Sequence, residues 1–353
     1  RQLAAGASLT IPGTQAGGYG VSCPVRRRSP RPHATNVVGG VRNCPHSCDC
    51  GTSHTRTYTM NLVDQSPDTL AMAALTGLAM GDSFGERYFF PSAGVEKRIA
   101  DRELAPAPWR YTDDTAQAAV LTRHLIARGS VEQDSLAQEF AEEYAHDPKR
   151  GYGINAHDLL AGISAGRPWR RLSEGSFNGT GSMGNGAAMR VAPLGAYFAG
   201  LPKRAAEQAA RSAEVTHANA NGIAGAEAVA VAASMISGGV KEAALIWQSV
   251  LQHTRDSMTR DYCELASRIP PESTPQQVAD IVGNGSQVCA HDTVPFALWS
   301  ALANLEDFEE AMWFTVAALG DRDTTCAIVG GLVCSHGSTK VPPNWKLRWE
   351  GLP

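Results

Sequence analysis

From residue 68 onward the apolar positions of this chain recur at intervals of three and four, the period of a helix that buries one face. The first such stretch, 70–81 (LAMAALTGLAMG), is apolar nearly all round and rich in alanine and glycine, with Thr76 its only β-branched residue. Small residues of this kind let a neighbouring helix approach closely. A second helix is predicted over 116–128, stopped by Gly129. A third is predicted over 135–146, where Leu136, Phe140, Ala141 and Tyr144 keep near-helical spacing. Further helices are expected over 155–163, over 187–201 in spite of Pro193, and over 205–237 as two helices divided around His217. The pattern continues over 241–255, 259–268, 274–283, 294–304, 308–319 and 324–334. Alternating strand patterns beside hairpin turns are nearly absent, and no unit of about 20–50 residues repeats. The expected fold class is all-α, in one domain over 60–340 followed by a short tail, 341–353.

Residues 1–59 lack that pattern. They are threaded with Gly, Pro, Ser and Thr, carry seven arginines and no lysine against one acid, Asp49, and hold Cys23, Cys44, Cys48 and Cys50. Their net charge of +6 leaves −10 for the remainder, because the whole chain carries −4. A disordered or weakly ordered extension is expected, without the apolar stretch of a secretory signal. Met60 opens sequence of a different character. A natural start at Met60 is therefore expected, with the preceding residues an extended reading frame or a cloning artefact; the intact mass of natively expressed protein tests this. Cys44, His46, Cys48 and Cys50, with His54 nearby, are zinc-type ligands. Their spacing is irregular and no second cysteine pair follows, so unstructured thiols are the simpler expectation.

No run of about 18 apolar residues is present, so no membrane span is expected. An overall charge of −4 provides no basic field to recruit nucleic acid. Cys263, Cys289, Cys326 and Cys334 are scattered in mostly apolar or helical settings, as expected of buried thiols in a reducing compartment, and a cytoplasmic location is expected.

Two acidic stretches change the picture. YTDDTA (residues 111–116) and GDRDTT (320–325) each place paired acids and threonines just ahead of an apolar helix. Taken singly, each is a helix start: a capping threonine or aspartate, then first-turn acids favoured by the free N–H groups and the dipole. Taken together, they set several carboxylates before two buried helices, and unpaired carboxylates are costly to desolvate. No lysine or arginine is arranged to serve both acids of either motif; Arg322 lies between Asp321 and Asp323 with its direction unspecified. Oxygen ligands from carboxylates and hydroxyls suit a hard divalent cation such as Mg²⁺, and two distant segments of this kind suit a pair of ions. A third acidic stretch, GDSFGE (81–86), places Asp82 and Glu86 one helical turn apart, with ordinary helix-end polar residues as the simpler reading.

FNGTGSMGNGAAMRVAP (177–193) carries glycines at 179, 181, 184 and 186 before a helical pattern. Such a loop lets backbone approach a ligand and suits phosphate. It lacks the Gly-Lys-Ser/Thr ending of a P-loop and follows no strand, which disfavours a dinucleotide fingerprint. Phe177 and Met183 are unusual in a plain surface loop. His217, ahead of the alanine-rich helix, reads either as a cap or as a donor to a sugar or base; His157 and His291 read as structural.

These segments together resemble the ADP-ribosylhydrolase family of the dinitrogenase-reductase-activating-glycohydrolase type. GLAMGDSFG, YTDDTA, DPKRGYG, FNGTGSMGNGAAMRVAP, EVTHANA and GDRDTT occur in the family's order across most of residues 70–336. The form of the glycine-rich and RGYG segments is most similar to the branch that removes ADP-ribose from serine. The resemblance implies a compact orthogonal helical bundle around a two-metal site holding two Mg²⁺, with Mn²⁺ as a substitute. It implies Thr112, Asp113, Asp114, Asp321, Asp323 and Thr324 as metal ligands. Along the ligand it implies Tyr152, Gly153, Phe177, Gly181, Ser182, Met183, Gly184, Asn185, Gly186 and His217. Catalytic work falls to Asp114, Asp321 and Glu86.

Two departures bear on that assignment. The branch has a metal-touching glutamate seven residues after the Gly-Asp aspartate, where this chain has Phe89; Glu86 is the nearest acid. Met183 also stands where an aromatic residue is common. The implied partner is an ADP-ribosylated protein or small ADP-riboside, a nucleic acid entering only as a modified substrate, and a monomer is expected. The competing readings are an ADP-ribose-binding protein with little catalysis and a Mg²⁺-dependent phosphohydrolase of the diphosphate.

Overall fold

The computed structural model describes residues 65–89 and 94–353, which form helices joined by short turns, with no β-strand and two isolated bridges among them. The all-α expectation is met. The extension, Met60 and the cysteine–histidine cluster lie outside the described residues.

The helices are α1 (Pro67–Phe89), α2 (Val95–Ala100), α3 (Asp113–Arg128), α4 (Gln133–His146), α5 (Ile154–Ser164), α6 (Trp169–Gly179), α7 (Ala192–Tyr197) and α8 (Pro202–Glu214). They continue as α9 (Ala220–Ser237), α10 (Ala243–His253), α11 (Met258–Ala266), α12 (Pro275–Val282), α13 (Ala290–Ala303), α14 (Phe308–Ala317), α15 (Arg322–Cys334) and α16 (Pro343–Lys346). Helices α2 and α6 lie outside the expected set, because each is short and buries only two residues, Val95 and Ile99 in α2 and Trp169 and Ser173 in α6. The helix predicted over 187–201 is a 3₁₀ turn, Asn185–Ala187, followed by the short α7, because the segment bends before Pro193 takes a first-turn position. Helix α1 runs on past Gly81 to Phe89, so Asp82 and Glu86 lie within it.

The α1–α15 pair sets the geometry of everything functional. Gly77, Gly81 and Gly85 repeat every fourth residue and form one small-residue stripe along α1. A Cβ on Gly81 would lie 2.0 Å from the Cys326 carbonyl oxygen, one on Gly85 2.1 Å from that of Arg322, and one on Gly77 2.3 Å from that of Gly330. The two backbones therefore touch, and Asp82 is drawn against the start of α15. Gly85, just before Glu86, is packed in mid-helix against the α15 backbone, so the segment carrying Glu86 is a rigid part of α1.

Helix α9 is the innermost element. It is 18 residues long with a mean hydropathy of 1.2, and by composition alone it meets the length and apolarity of a membrane span; 83% of it is buried inside the body. Its one charge, Glu227, is held by Arg255 at 2.8 Å. An aromatic cluster anchors the far half of α1: Phe84 stacks on Trp345 at 4.6 Å and meets Trp313 edge-on at 5.0 Å. Trp345 is fully buried, so the residues set apart as a tail are packed into the body. They also brace the acidic turn. Glu350 accepts from the Tyr111 N–H at 2.8 Å and from Arg150 at 2.6 Å, and the Arg150 carbonyl accepts from the Asp113 N–H at 2.6 Å.

Candidate active site

The two acidic turns, some two hundred residues apart, meet at the start of α15. Thr112 is the N-cap of α3 and its hydroxyl accepts from the Asp114 N–H, as the capping reading expects. Asp321 is the N-cap residue of α15 and makes no capping bond. Its carboxylate instead accepts from the Asn185 amide at 2.6 Å. Asp82, fully buried, accepts four bonds: from the Thr112 N–H (2.9 Å) and hydroxyl (2.8 Å), and from the Thr115 N–H (3.2 Å) and hydroxyl (2.5 Å). The reading of Asp82 as an ordinary polar residue is overturned. It locks the α3 start onto α1.

Burial, followed by mutual repulsion, lifts these acids far out of the carboxylate range. Burial and then the Asp323 charge push Asp113 and Asp321 up to about 8. Asp82 rises to about 7, where burial outweighs its hydrogen bonds, and Asp114 rises well above its ordinary value through burial and then the Asp82 charge. Among the described residues, no three His, Cys, Asp or Glu side chains converge as a ready-made metal cage. The acids are neighbours in charge without forming a closed coordination shell. Their chemistry still fits a hard cation. Asp114 Oδ1 and Asp323 Oδ1 are buried without any hydrogen-bond partner, and every nearby donor atom of the two turns is oxygen. Arg322 makes no hydrogen bond to the acids, and Asp323 is the least of the charges it feels. Its guanidinium donates to the carbonyls of Tyr88 and Phe89 at the end of α1, the latter at 2.8 Å.

The glycine-rich segment lies directly alongside, tied to the cluster through Asn185. Ser182 Oγ accepts from the Gly184 N–H at 3.1 Å, and the Val288 carbonyl accepts from the Asn185 N–H at 3.2 Å. Two donors required by a simple phosphate cradle are thus already occupied within the protein. The loop's rigidity, more than free N–H groups, is what these contacts supply. Gly181 has φ +70° and no room for a Cβ, which would lie 2.6 Å from the Asn219 nitrogen. Gly184 and Gly186 leave space for the His217 ring, whose Nε2 would lie 3.3 and 3.2 Å from their added Cβ atoms. Phe177 (φ 51°), Met183 and Val288 (φ 55°) present exposed apolar surface on or beside the loop. A β-branched residue at positive φ is uncommon, and such strain persists where the surroundings enforce it.

On the other flank, Gly151 (φ 91°) lies against Asp113 and Thr112. Tyr152 is buried edge-on to Tyr144 at 5.1 Å, and Gly153 opens α5 with free space around its Cα. Tyr144 also bonds His157 at 2.8 Å, in keeping with a structural role for that histidine. Glu86 is half-buried one turn beyond Asp82, and burial, then the Asp323 charge, push it up to about 7.

The family model for ADP-ribosylglycohydrolase matches residues 64–351. The chain belongs to the ADP-ribosylglycohydrolase family. It is 28% identical over 274 residues to human ADP-ribosylhydrolase ARH3, covering 68% of this chain and 75% of that protein. To the bovine ARH3 it is 28% identical over 323 residues, covering 78% and 87%. A solved structure described as an ADP-ribosylglycohydrolase-related protein complex shares the fold, with a TM-score of 0.57 at 23% identity over 81% of this chain and 93% of that one. As a member of the family the chain is a glycosidic-bond hydrolase that releases ADP-ribose.

Sequence reasoning missed three members of the site. Asp82 was seen but undervalued, because only packing reveals its burial. Asn185 stands among the implied ligand residues, and the part the sequence did not show is that its side chain holds Asp321. Arg190 was passed over as part of a helix pattern, although it is fully buried beside both halves of the site.

Proposed function

We propose that this hydrolase cleaves the O-glycosidic bond between ADP-ribose and a protein side-chain hydroxyl, serine foremost, with divalent cations held at the acid cluster. The observation that carries the reading is the meeting of the two acidic turns, with buried unpartnered oxygens on Asp114 and Asp323, beside the loop that Asn185 ties to Asp321. Thr112, Asp113, Asp114, Asp321, Asp323 and Thr324 are the oxygen donors for two Mg²⁺ ions, with Mn²⁺ as a substitute. When bound, such ions orient ribose hydroxyls and a water and stabilise developing negative charge.

The chain's own groups supply the rest. The glycine-rich loop and His217 bind the diphosphate and adenosine end, with the exposed rings and chains of Phe177 and Met183 covering apolar ligand surface. Tyr152 and Gly153 line the opposite flank. The bond from C1″ to the acceptor oxygen breaks through an oxocarbenium-like transition state. A water oxygen forms the new bond to C1″, and one proton is delivered to the departing oxygen. Glu86, half-buried one turn beyond Asp82 and held above the usual carboxylate range first by burial, is the group proposed to deliver that proton. It is proposed to replace the glutamate that the family branch carries at the position of Phe89. The substrate is an ADP-ribosylated protein or a small ADP-riboside, the enzyme is proposed to act as a monomer, and the free thiols Cys263, Cys289, Cys326 and Cys334 among the described residues suit a cytoplasmic setting.

Incubation with serine-linked, arginine-linked and nucleic-acid-linked ADP-ribose, with Mg²⁺ and with EDTA, tests the reading by its products. Free ADP-ribose from the serine-linked substrate, dependent on Mg²⁺, is expected. Unchanged substrate would point to binding alone, and AMP with ribose phosphate to diphosphate cleavage.

A further inference from the structure

Arg190 carries a charge into the fully buried interior without a carboxylate in direct contact, an expensive arrangement unless its surroundings repay it. Its guanidinium lies 4.4 Å over the Phe140 ring. One terminal nitrogen donates to Gln117 Oε1 at 2.6 Å, and the other to Thr216 Oγ1 and the Ser212 carbonyl, each at 2.9 Å. Gln117 Nε2 in turn donates to Asp113 Oδ2 at 2.9 Å. Thr216 Oγ1 is 2.7 Å from His217 Nδ1. A single chain of bonds thus runs from the acid cluster, through Arg190, to the histidine beside Gly184 and Gly186.

The donor and acceptor rules orient the Gln117 link. A guanidinium only donates, so Gln117 must turn its oxygen to Arg190, which leaves its nitrogen to donate to Asp113. The Thr216 hydroxyl accepts from Arg190, which leaves its one proton free to be donated to His217 Nδ1 across their 2.7 Å contact. Burial, reinforced by the Arg190 charge, lowers His217 to about 3, so the ring is neutral. A neutral imidazole that accepts at Nδ1 carries its proton on Nε2. Nε2 is the atom that faces the glycine-rich loop, where it can donate to an oxygen of a bound nucleotide.

We propose that Arg190 is a positioning residue which, through Gln117 and Thr216, aligns Asp113 and fixes His217 as the Nε2–H tautomer, so that the acid cluster and the nucleotide loop are ordered as one unit. The proposal rests on the function proposed above for its choice of ligand, and one of its readouts needs no ligand at all.

Three measurements on the full chain test it. The first is the ¹⁵N spectrum of His217 in the ligand-free protein. The parent should show a protonated Nε2 and an accepting Nδ1; Thr216→Val should lose that fixed tautomer and Thr216→Ser should keep it. The second is the affinity for Mn²⁺ without nucleotide, which should fall at least about fivefold in Thr216→Val although Thr216 touches no carboxylate. The third is the affinity for ADP-ribose in EDTA, which should fall at least about fivefold in Gln117→Met, a residue whose bond to Arg190 is its hydrogen-bonded link toward His217. Unchanged circular dichroism shows that each variant is folded, and the Ser variant keeps the test decisive if the Val variant is not. A fixed tautomer in Thr216→Val, or variants that each perturb only the site they touch, would overturn the relay. Failure of the parent to bind ADP-ribose would instead overturn the function reading and leave the tautomer measurement to decide the relay.

Discussion

At the scale of single residues the site turns on where carboxylates are and which of them is spare. Asp82 accepts four bonds from Thr112 and Thr115, three on Oδ2 and one on Oδ1, so it is a fastener between α1 and α3. Glu86, one turn later, is the acid proposed to move a proton. Substituting Glu86 by Gln is expected to reduce turnover on serine-linked ADP-ribose by about 10²–10⁴-fold, the usual range for a lost general acid, while ADP-ribose affinity is retained. Phe89→Ala should change turnover little, because a phenyl ring moves no proton and the substitution keeps the backbone carbonyl that accepts from Arg322. Steady-state kinetics at saturating Mg²⁺ decide this; a Glu86→Gln enzyme at parental rate would remove Glu86 from the mechanism. The acid pairs themselves were legible from sequence because charge beside apolar helices is conspicuous. Asn185 and Arg190 were not, because their importance lies in partners more than a hundred and more than seventy residues away along the chain.

Among the elements, α1 and α15 matter most, and their contact is one of backbones. The stripe Gly77, Gly81 and Gly85 was visible as small residues on one helix, but its partner was not, since close approach is a property of two helices. With a Cβ at Gly81 lying 2.0 Å from a backbone oxygen, no rotamer relieves the clash. Gly81→Ala is therefore expected to force the helices apart and to cost about 3 kcal/mol, at the upper end of ordinary overpacking. Urea unfolding measures it. Because the displaced helices carry Asp82 and Asp323, metal affinity should fall in the same variant. An Ala73→Gly change on the partly buried side of α1 should cost only about 1 kcal/mol through helix propensity and leave metal affinity alone.

For the whole molecule the acid cluster is a linkage between folding, pH and cation. The acids Asp82, Asp113 and Asp321 have an ordinary value of 3.8 and are pushed up to about 7–8 in the folded protein. Folding therefore binds protons between those limits. The stability this contributes is fully present below about pH 4 and is lost as pH rises through about 8. Metal-free protein should show an unfolding midpoint that declines from pH 5 to pH 8. A divalent cation replaces the protons as counter-charge, so Mg²⁺ at a hundred times its dissociation constant should add about 2.7 kcal/mol, a rise of roughly 5 °C in Tm. The rise should be larger at pH 8 than at pH 5, where protons compete for the same oxygens. Calorimetry in EDTA and in Mg²⁺ at both pH values checks the sign, and a larger effect at pH 5 would contradict the cluster's role as the cation site.

The sequence by itself determined the helical character of residues 70–334, the helix starts at Thr112 and Asp321, and the order of the family's motifs, because each depends on residues close together in the chain. Periodicity, capping and glycine content are local properties. Only the tertiary structure decided that Asp82 is buried and bonded to Thr112 and Thr115, that Arg322 turns to the end of α1 instead of the acids, that Gly184 and Asn185 spend N–H groups inside the protein, and that 341–353 brace the acidic turn. Each of these depends on which distant segment fills the space beside a residue. That choice is made by close packing of the helices, and no local pattern in the chain encodes it.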